Sequence, residues 1–126
     1  MRTCARCGII SVVRHVVERN NDGSLSEAVF LILSSVAVGP RHGYAILQDV
    51  AALTNGRVRL STGTLYGALR RLLDDGSIRR FCEKQPSRDR QAYELTAAGR
   101  QVLTSEVERM RSLATLASRR LVQGEA

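Results

Sequence analysis

The sequence predicts a mainly α fold that carries one small β-hairpin. Apolar residues recur at helical spacing in four separate segments, each bounded by capping or stop residues. Between the third and fourth segments, two short stretches flank a polar tract, Gln85-Pro86-Ser87-Arg88-Asp89-Arg90, which is the pattern of a hairpin and its loop. With 126 residues, 44% of them hydrophobic and 25% charged, the chain has the composition of a globular protein and the length for one core.

Residues 1–24 read as an N-terminal extension, expected to be flexible. They hold an arginine-containing apolar patch at 9–17 and then Asn20-Asn21-Asp22-Gly23-Ser24, a linker composition. Ordered structure is expected from Leu25. Residues 25–95 form the expected compact domain, and residues 96–126 a C-terminal helix.

The first helix is expected over 27–38, with Ser26 as its N-cap and Gly39-Pro40 as its stop. Val29, Phe30, Leu31, Ile32, Leu33 and Val36 make it apolar almost all round, so a deep position in the core is expected. The second helix starts near Gly43, carries Ile46, Leu47, Val50 and Leu53 as a stripe, and ends at Asn55-Gly56. A short extended piece, Val58-Arg59-Leu60, follows. The third helix starts at Ser61 and ends at Asp75-Gly76. Leu65, Ala68, Leu69 and Leu72 form its buried face; Gly63, Tyr66, Gly67 and Arg70 lie opposite, with Thr62 and Thr64 in the first turn. Strands are expected over 78–84 and 91–95. The last helix is expected from Thr96 to about residue 122. Its residues Leu103, Val107, Met110, Ala114, Ala117 and Leu121 are spaced alternately four and three apart, the period of a helix that pairs with another helix. Leu113 and Leu116 widen that stripe.

Charge is the second signal. The chain has 19 basic and 12 acidic residues, a net charge of +7. Every base but Lys84 is arginine. Between residues 57 and 90, nine bases (Arg57, Arg59, Arg70, Arg71, Arg79, Arg80, Lys84, Arg88 and Arg90) face four acids (Asp74, Asp75, Glu83 and Asp89). Such a concentration suits phosphate; its plainer meaning is a solvated surface.

Three helices followed by a hairpin with a basic tip make a winged helix arrangement. The major groove of DNA is about 12 Å wide and admits one helix, N-terminal end first. Ser61, Thr62, Gly63, Thr64, Tyr66 and Arg70 supply small, hydroxylic and basic groups on one side of the third helix, with Arg71 turned more to the side. Arg88 and Arg90 at the hairpin tip can reach a flanking phosphate or the minor groove.

Ser61-Thr62-Gly63-Thr64-Leu65-Tyr66, then Ala68-Leu69-Arg70-Arg71-Leu72 and Asp75-Gly76-Ser77-Ile78, resemble the PadR family of bacterial transcriptional regulators. His42-Gly43-Tyr44 and Tyr93-Glu94-Leu95-Thr96-Ala97-Ala98-Gly99-Arg100 match the same pattern, so the resemblance covers about residues 25–110. It implies a short-form member: a cytoplasmic, dimeric winged-helix repressor that binds an inverted-repeat operator and is released by a small-molecule effector. It also implies that Tyr44, Thr64 and Tyr66 approach the DNA backbone. Two positions depart from the pattern. Gly67 stands where the family usually has proline, and Ser87-Arg88-Asp89-Arg90-Gln91-Ala92 replaces the usual Gly-Pro-basic tract of the wing. Some relatives hold aromatic drugs between tryptophans; this chain has no tryptophan, which argues against that mode.

Other classes receive little support. Cys4-Ala5-Arg6-Cys7 is half of a zinc motif, but a closed site needs four ligands and only the scattered Cys82, His15 and His42 remain. No metal or cofactor is expected, and three cysteines suit free thiols in a reducing compartment. A redox pair at Cys4 and Cys7 is the alternative to a plain leader. The longest apolar run spans residues 28–33, too short for a membrane span, and no secretory signal is visible. No Gly-rich phosphate loop or nucleophile–His–acid set suggests an enzyme. The alternative within the same fold is a protein-interaction module that binds no DNA.

Overall fold

The computed structural model describes residues 25–81 and 91–125. The extension at 1–24, the whole expected hairpin loop at 85–90 and the last three residues of the first expected hairpin strand, 82–84, lie outside the described residues. The elements run α1 (Glu27–Val36), β1 (Arg41–His42), α2 (Gly43–Leu53), α3 (Thr62–Asp75), β2 (Ile78–Phe81), β3 (Ala92–Leu95) and α4 (Ala97–Glu125).

Ser26 caps α1 as expected, its side chain accepting from the Val29 N–H at 3.3 Å. The helix stops at Val36, two residues earlier than the sequence suggested. The carbonyls of Ser34 and Val36 are taken by the N–H groups of Ala37 and Gly39 in a tightened last turn. Nor is α1 buried all round. Val29, Ile32, Leu33 and Val36 face inward, at the spacing of one helical face, while Phe30 and Leu31 stay half-buried at the edge of the core.

Ser35 is a buried polar residue of α1, and it is satisfied. Its hydroxyl donates to Asp49 Oδ2 at 2.8 Å, and its carbonyl accepts from Arg41 Nε at 2.9 Å. This joins α1, β1 and α2 through one hydrogen-bonded group, as burial of a polar side chain requires. Val29, Ile32, Leu33, Val36, Ile46, Val50, Leu65, Leu69, Leu72 and Ile78 fill the core that these helices and β2 share.

A third strand was not expected from the sequence. Arg41 pairs with Tyr93 and His42 with Ala92, antiparallel, so the sheet has the order β1-β3-β2. The hairpin register sets Ile78 opposite Leu95, Arg79 opposite Glu94, Arg80 opposite Tyr93 and Phe81 opposite Ala92. Arg79 Nε donates to Glu94 Oε2 at 2.7 Å and Arg80 Nε to Gln91 Oε1 at 2.9 Å, cross-strand contacts that reinforce this register.

Thr96 begins α4 by accepting the Gly99 N–H at 3.0 Å, and its hydroxyl lies 2.6 Å from the Gly76 carbonyl. Gly99 lets the helix come down on the α3–β2 turn: a Cβ there would collide with the Ser77 carbonyl and stand 2.9 Å from Leu95 Cδ1. The first turns of α4 lie against α1 and β3. Glu106, only 3% exposed, is bound by Arg109 at 2.6 Å. Beyond that pair, residues 110–125 are exposed at every position, a projection of roughly 24 Å. The helix runs three residues past the expected end, to Glu125.

Candidate nucleic-acid interface

The helix α3 is built to show one side. Its apolar residues Leu65, Ala68, Leu69 and Leu72 are buried, which fixes the rotation of the helix about its axis. Ser61, Thr62, Gly63, Thr64, Tyr66, Arg70 and Arg71 are all exposed. Ser61 caps the first turn: its Oγ accepts from the Thr64 N–H at 3.1 Å and donates to Thr64 Oγ1 at 2.9 Å. The far end is closed by Gly76 at φ 83°, with Gly76 N–H bonded to the Leu73 carbonyl and Ser77 N–H to that of Leu72. This paired arrangement stops the helix cleanly.

Tyr66 is 42% exposed, and its ring crosses from α3 to the first residue of α2. A Cβ on Gly43 would fall 2.9 Å from Tyr66 Cζ and closer still to its hydroxyl. Bare backbone at Gly43 is what lets the ring lie there. Tyr44, next in the chain and 66% exposed, stands on the first turn of α2 beside it. Behind Tyr66, Tyr93 on the central strand is buried, and that burial raises its hydroxyl above the ordinary pKa of 10.0; the Arg80 charge works in the opposite direction.

Gly67 sits half-buried on the shown side, yet among the described residues no atom outside its own turn of helix and chain neighbours lies within 4 Å of where its Cβ would be. Gly63 is equally open. Among the described residues, neither glycine is there to admit a neighbouring element.

The helix-pairing stripe divides in two. Leu103 and Val107 are half-buried, and Leu103 packs at the margin of its own domain's core. Met110, Ala114, Ala117 and Leu121 are exposed on the projecting half. Leu113 and Leu116 are exposed there too.

Arg88 and Arg90, assigned to the hairpin tip, lie outside the described residues, as do Cys4, Cys7, His15 and Cys82. Among the described residues no group of His, Cys, Asp and Glu is placed to hold a metal ion. Two features escaped the sequence reading. Gly43 matters as a seat for Tyr66, a tertiary contact with no local signature. Arg59 stands exposed between two half-buried residues, Val58 and Leu60, an alternation that was visible in the chain.

The order helix, strand, helix, helix, hairpin, with a long helix appended, defines a winged helix-turn-helix protein. Residues 32–105 match the PadR-like family of transcriptional regulators, and the chain belongs to that family. A PadR family transcription regulator from Clostridium difficile R20291 superposes with a TM-score of 0.64 at 23% identity, over 76% of this chain and 99% of that one. Bacillus subtilis PadR, solved in complex with operator DNA, gives 0.57 at 23% identity, over 65% of this chain and 47% of that one. An uncharacterized 37.1 kDa protein in transposon Tn4556 of Streptomyces fradiae is 39% identical over 88 residues. Those residues are 70% of this chain and 24% of that protein's length, so this chain spans about a quarter of its curated relative. The family is one of transcriptional regulators. Among the described residues no helix is long and apolar enough to cross a membrane.

Proposed function

We propose that this chain is a sequence-specific DNA-binding repressor that acts as a homodimer in the cytoplasm. The observation that carries it is the exposed side of α3, where Ser61, Thr62, Gly63, Thr64, Tyr66 and Arg70 stand opposite a face wholly committed to the core. In the major groove that side offers the hydroxyls of Ser61 and Thr62 and the Arg70 guanidinium to base edges, with Tyr44, Thr64, Tyr66 and Arg71 directed at the backbone. Arg88 and Arg90 of the wing serve a neighbouring phosphate or the minor groove. The operator-bound structure of a relative with this fold supports the reading.

Dimerisation follows from α4. Its projecting half carries Met110, Ala114, Ala117 and Leu121 in one line, with Leu103 and Val107 leading into it, and is exposed at every position from 110 to 125. A second copy of the helix buries that line. Two α3 helices set about 34 Å apart then meet successive major-groove turns of an inverted repeat. Release by a small-molecule effector, which shifts the spacing of the two domains, completes the cycle; a change in thermal midpoint on screening compounds is its test.

The deciding experiment is titration of the DNA upstream of this coding sequence at increasing salt. Affinity is expected to fall steeply as phosphate contacts release counterions. Replacing Tyr66 and Arg70 together is expected to abolish binding with the dimer intact. Binding unaltered by that pair would remove α3 from the interface.

A further inference from the structure

The turn between α2 and α3 carries two arginines in unlike settings. Arg57 Nη2 donates to Glu27 Oε2 at 2.9 Å, so its charge is matched within the chain. Arg59 makes no hydrogen bond or ion pair among the described residues. Its guanidinium lies over the bare backbone of Gly56, where an added Cβ would stand 3.1 Å from Nη2.

Its direction is fixed by its neighbours. Val58 and Leu60 pack against the core. Thr54 Oγ1 accepts from the Val58 N–H at 3.0 Å and holds the segment in place. An extended chain alternates sides, so Arg59 and Ser61 face outward together. Ser61 opens α3, the helix assigned to the groove. From Thr54 to Leu73 the sequence has no carboxylate, but it has Arg57, Arg59, Arg70 and Arg71. An outward-facing fork of five N–H donors, with no acid in its own stretch of chain, is matched to an oxyanion from outside.

We infer that Arg59 binds a backbone phosphate of duplex DNA beside the start of α3, and so sets the depth and register at which that helix enters the groove. This rests on the DNA-binding reading above. A contact of this kind positions the protein and carries no sequence information.

Arg57→Ala and Arg59→Ala separate contact from general charge, because each removes one positive charge, two positions apart. Binding is measured against salt on two duplexes, the DNA upstream of this coding sequence and a scrambled version. Arg59→Ala is expected to flatten the slope of log affinity on log salt by about 0.9. It should weaken both duplexes by the same factor, roughly tenfold. Arg57→Ala is expected to leave the slope unchanged, and Arg59→Lys to restore it. No change for Arg59→Ala, or equal losses for both alanine variants, overturns the inference and leaves the functional reading standing. A loss confined to the upstream duplex makes Arg59 a base-reading residue and overturns it as well. Failure of the unaltered protein to bind either duplex ends both.

Discussion

The ring of Tyr66 occupies the space that a side chain on Gly43 would fill, and this close approach joins the front of α3 to the start of α2. The added Cβ of Gly43→Ala would meet Cζ at 2.9 Å and Cε1 at 3.0 Å. The obstacle is the far end of a half-exposed side chain, so the ring can swing aside. The expected result is a small loss of stability, below about 1.5 kcal/mol, with a larger loss of DNA affinity as Tyr66 leaves its place. Adding Gly43→Ala to Tyr66→Leu should then cost almost nothing further. Urea denaturation and DNA titration of the two single variants and the double one measure that coupling.

Gly67 gives a prediction of opposite sign for stability and function. Glycine in a helix interior costs about 1 kcal/mol relative to alanine. The site is open, so Gly67→Ala is expected to raise the thermal midpoint by about 4–8 °C. If DNA lies against this side of α3, the same methyl stands between helix and duplex. A variant that melts later and binds the upstream DNA more weakly is the expected outcome; one that melts later and binds as before would place DNA elsewhere.

Much of α3 was legible in the sequence because its signals are local. Ser61 and Gly76 bound it, and the spacing of Leu65, Ala68, Leu69 and Leu72 fixes which side is shown. That phase alone separated the candidate contact residues from the core. β1 was not legible, since two residues, Arg41 and His42, cannot display a period. They become a strand only because β3 offers its free edge. The burial of α1 was overread for a related reason. Phe30 and Leu31 are apolar, but the core has room for one face of that helix, and composition does not say which apolar residues are left at its margin. The contact of Gly43 with Tyr66 joins positions 23 residues apart and exists only in the assembled fold.

Tyr93 supplies the pH dependence. Burial raises its hydroxyl above 10.0 in the folded chain, while the unfolded chain ionises it near 10.0. The folded state therefore keeps a proton that the unfolded state loses. Stability from this group is fully present below pH 10.0 and falls as pH rises through the higher folded value. Denaturant midpoints measured upward from pH 9 are expected to drop more steeply for the unaltered protein than for Tyr93→Phe, which lacks the titrating group. Parallel curves would mean that ionisation of Tyr93 is not coupled to folding.

The projecting half of α4 yields a test of assembly that leaves the domain untouched. Ala117 is exposed and lies in line with Met110, Ala114 and Leu121. Glutamate is close to alanine in helix propensity, so Ala117→Glu keeps the helix and places a charge in the middle of the pairing line. The expected result is a monomer in sedimentation equilibrium with an unchanged circular dichroism spectrum. Affinity for the upstream DNA should fall by about 100-fold or more, because one domain then binds one half-site without its tethered partner. Thr115→Glu is the control. It lies on the opposite side of the same helix, next to Arg111 and Arg119 along that face, and introduces the same charge two residues away. It is expected to leave the dimer in place. Loss of the dimer in both variants would assign the effect to charge alone, and retention in both would move the interface off this line of residues.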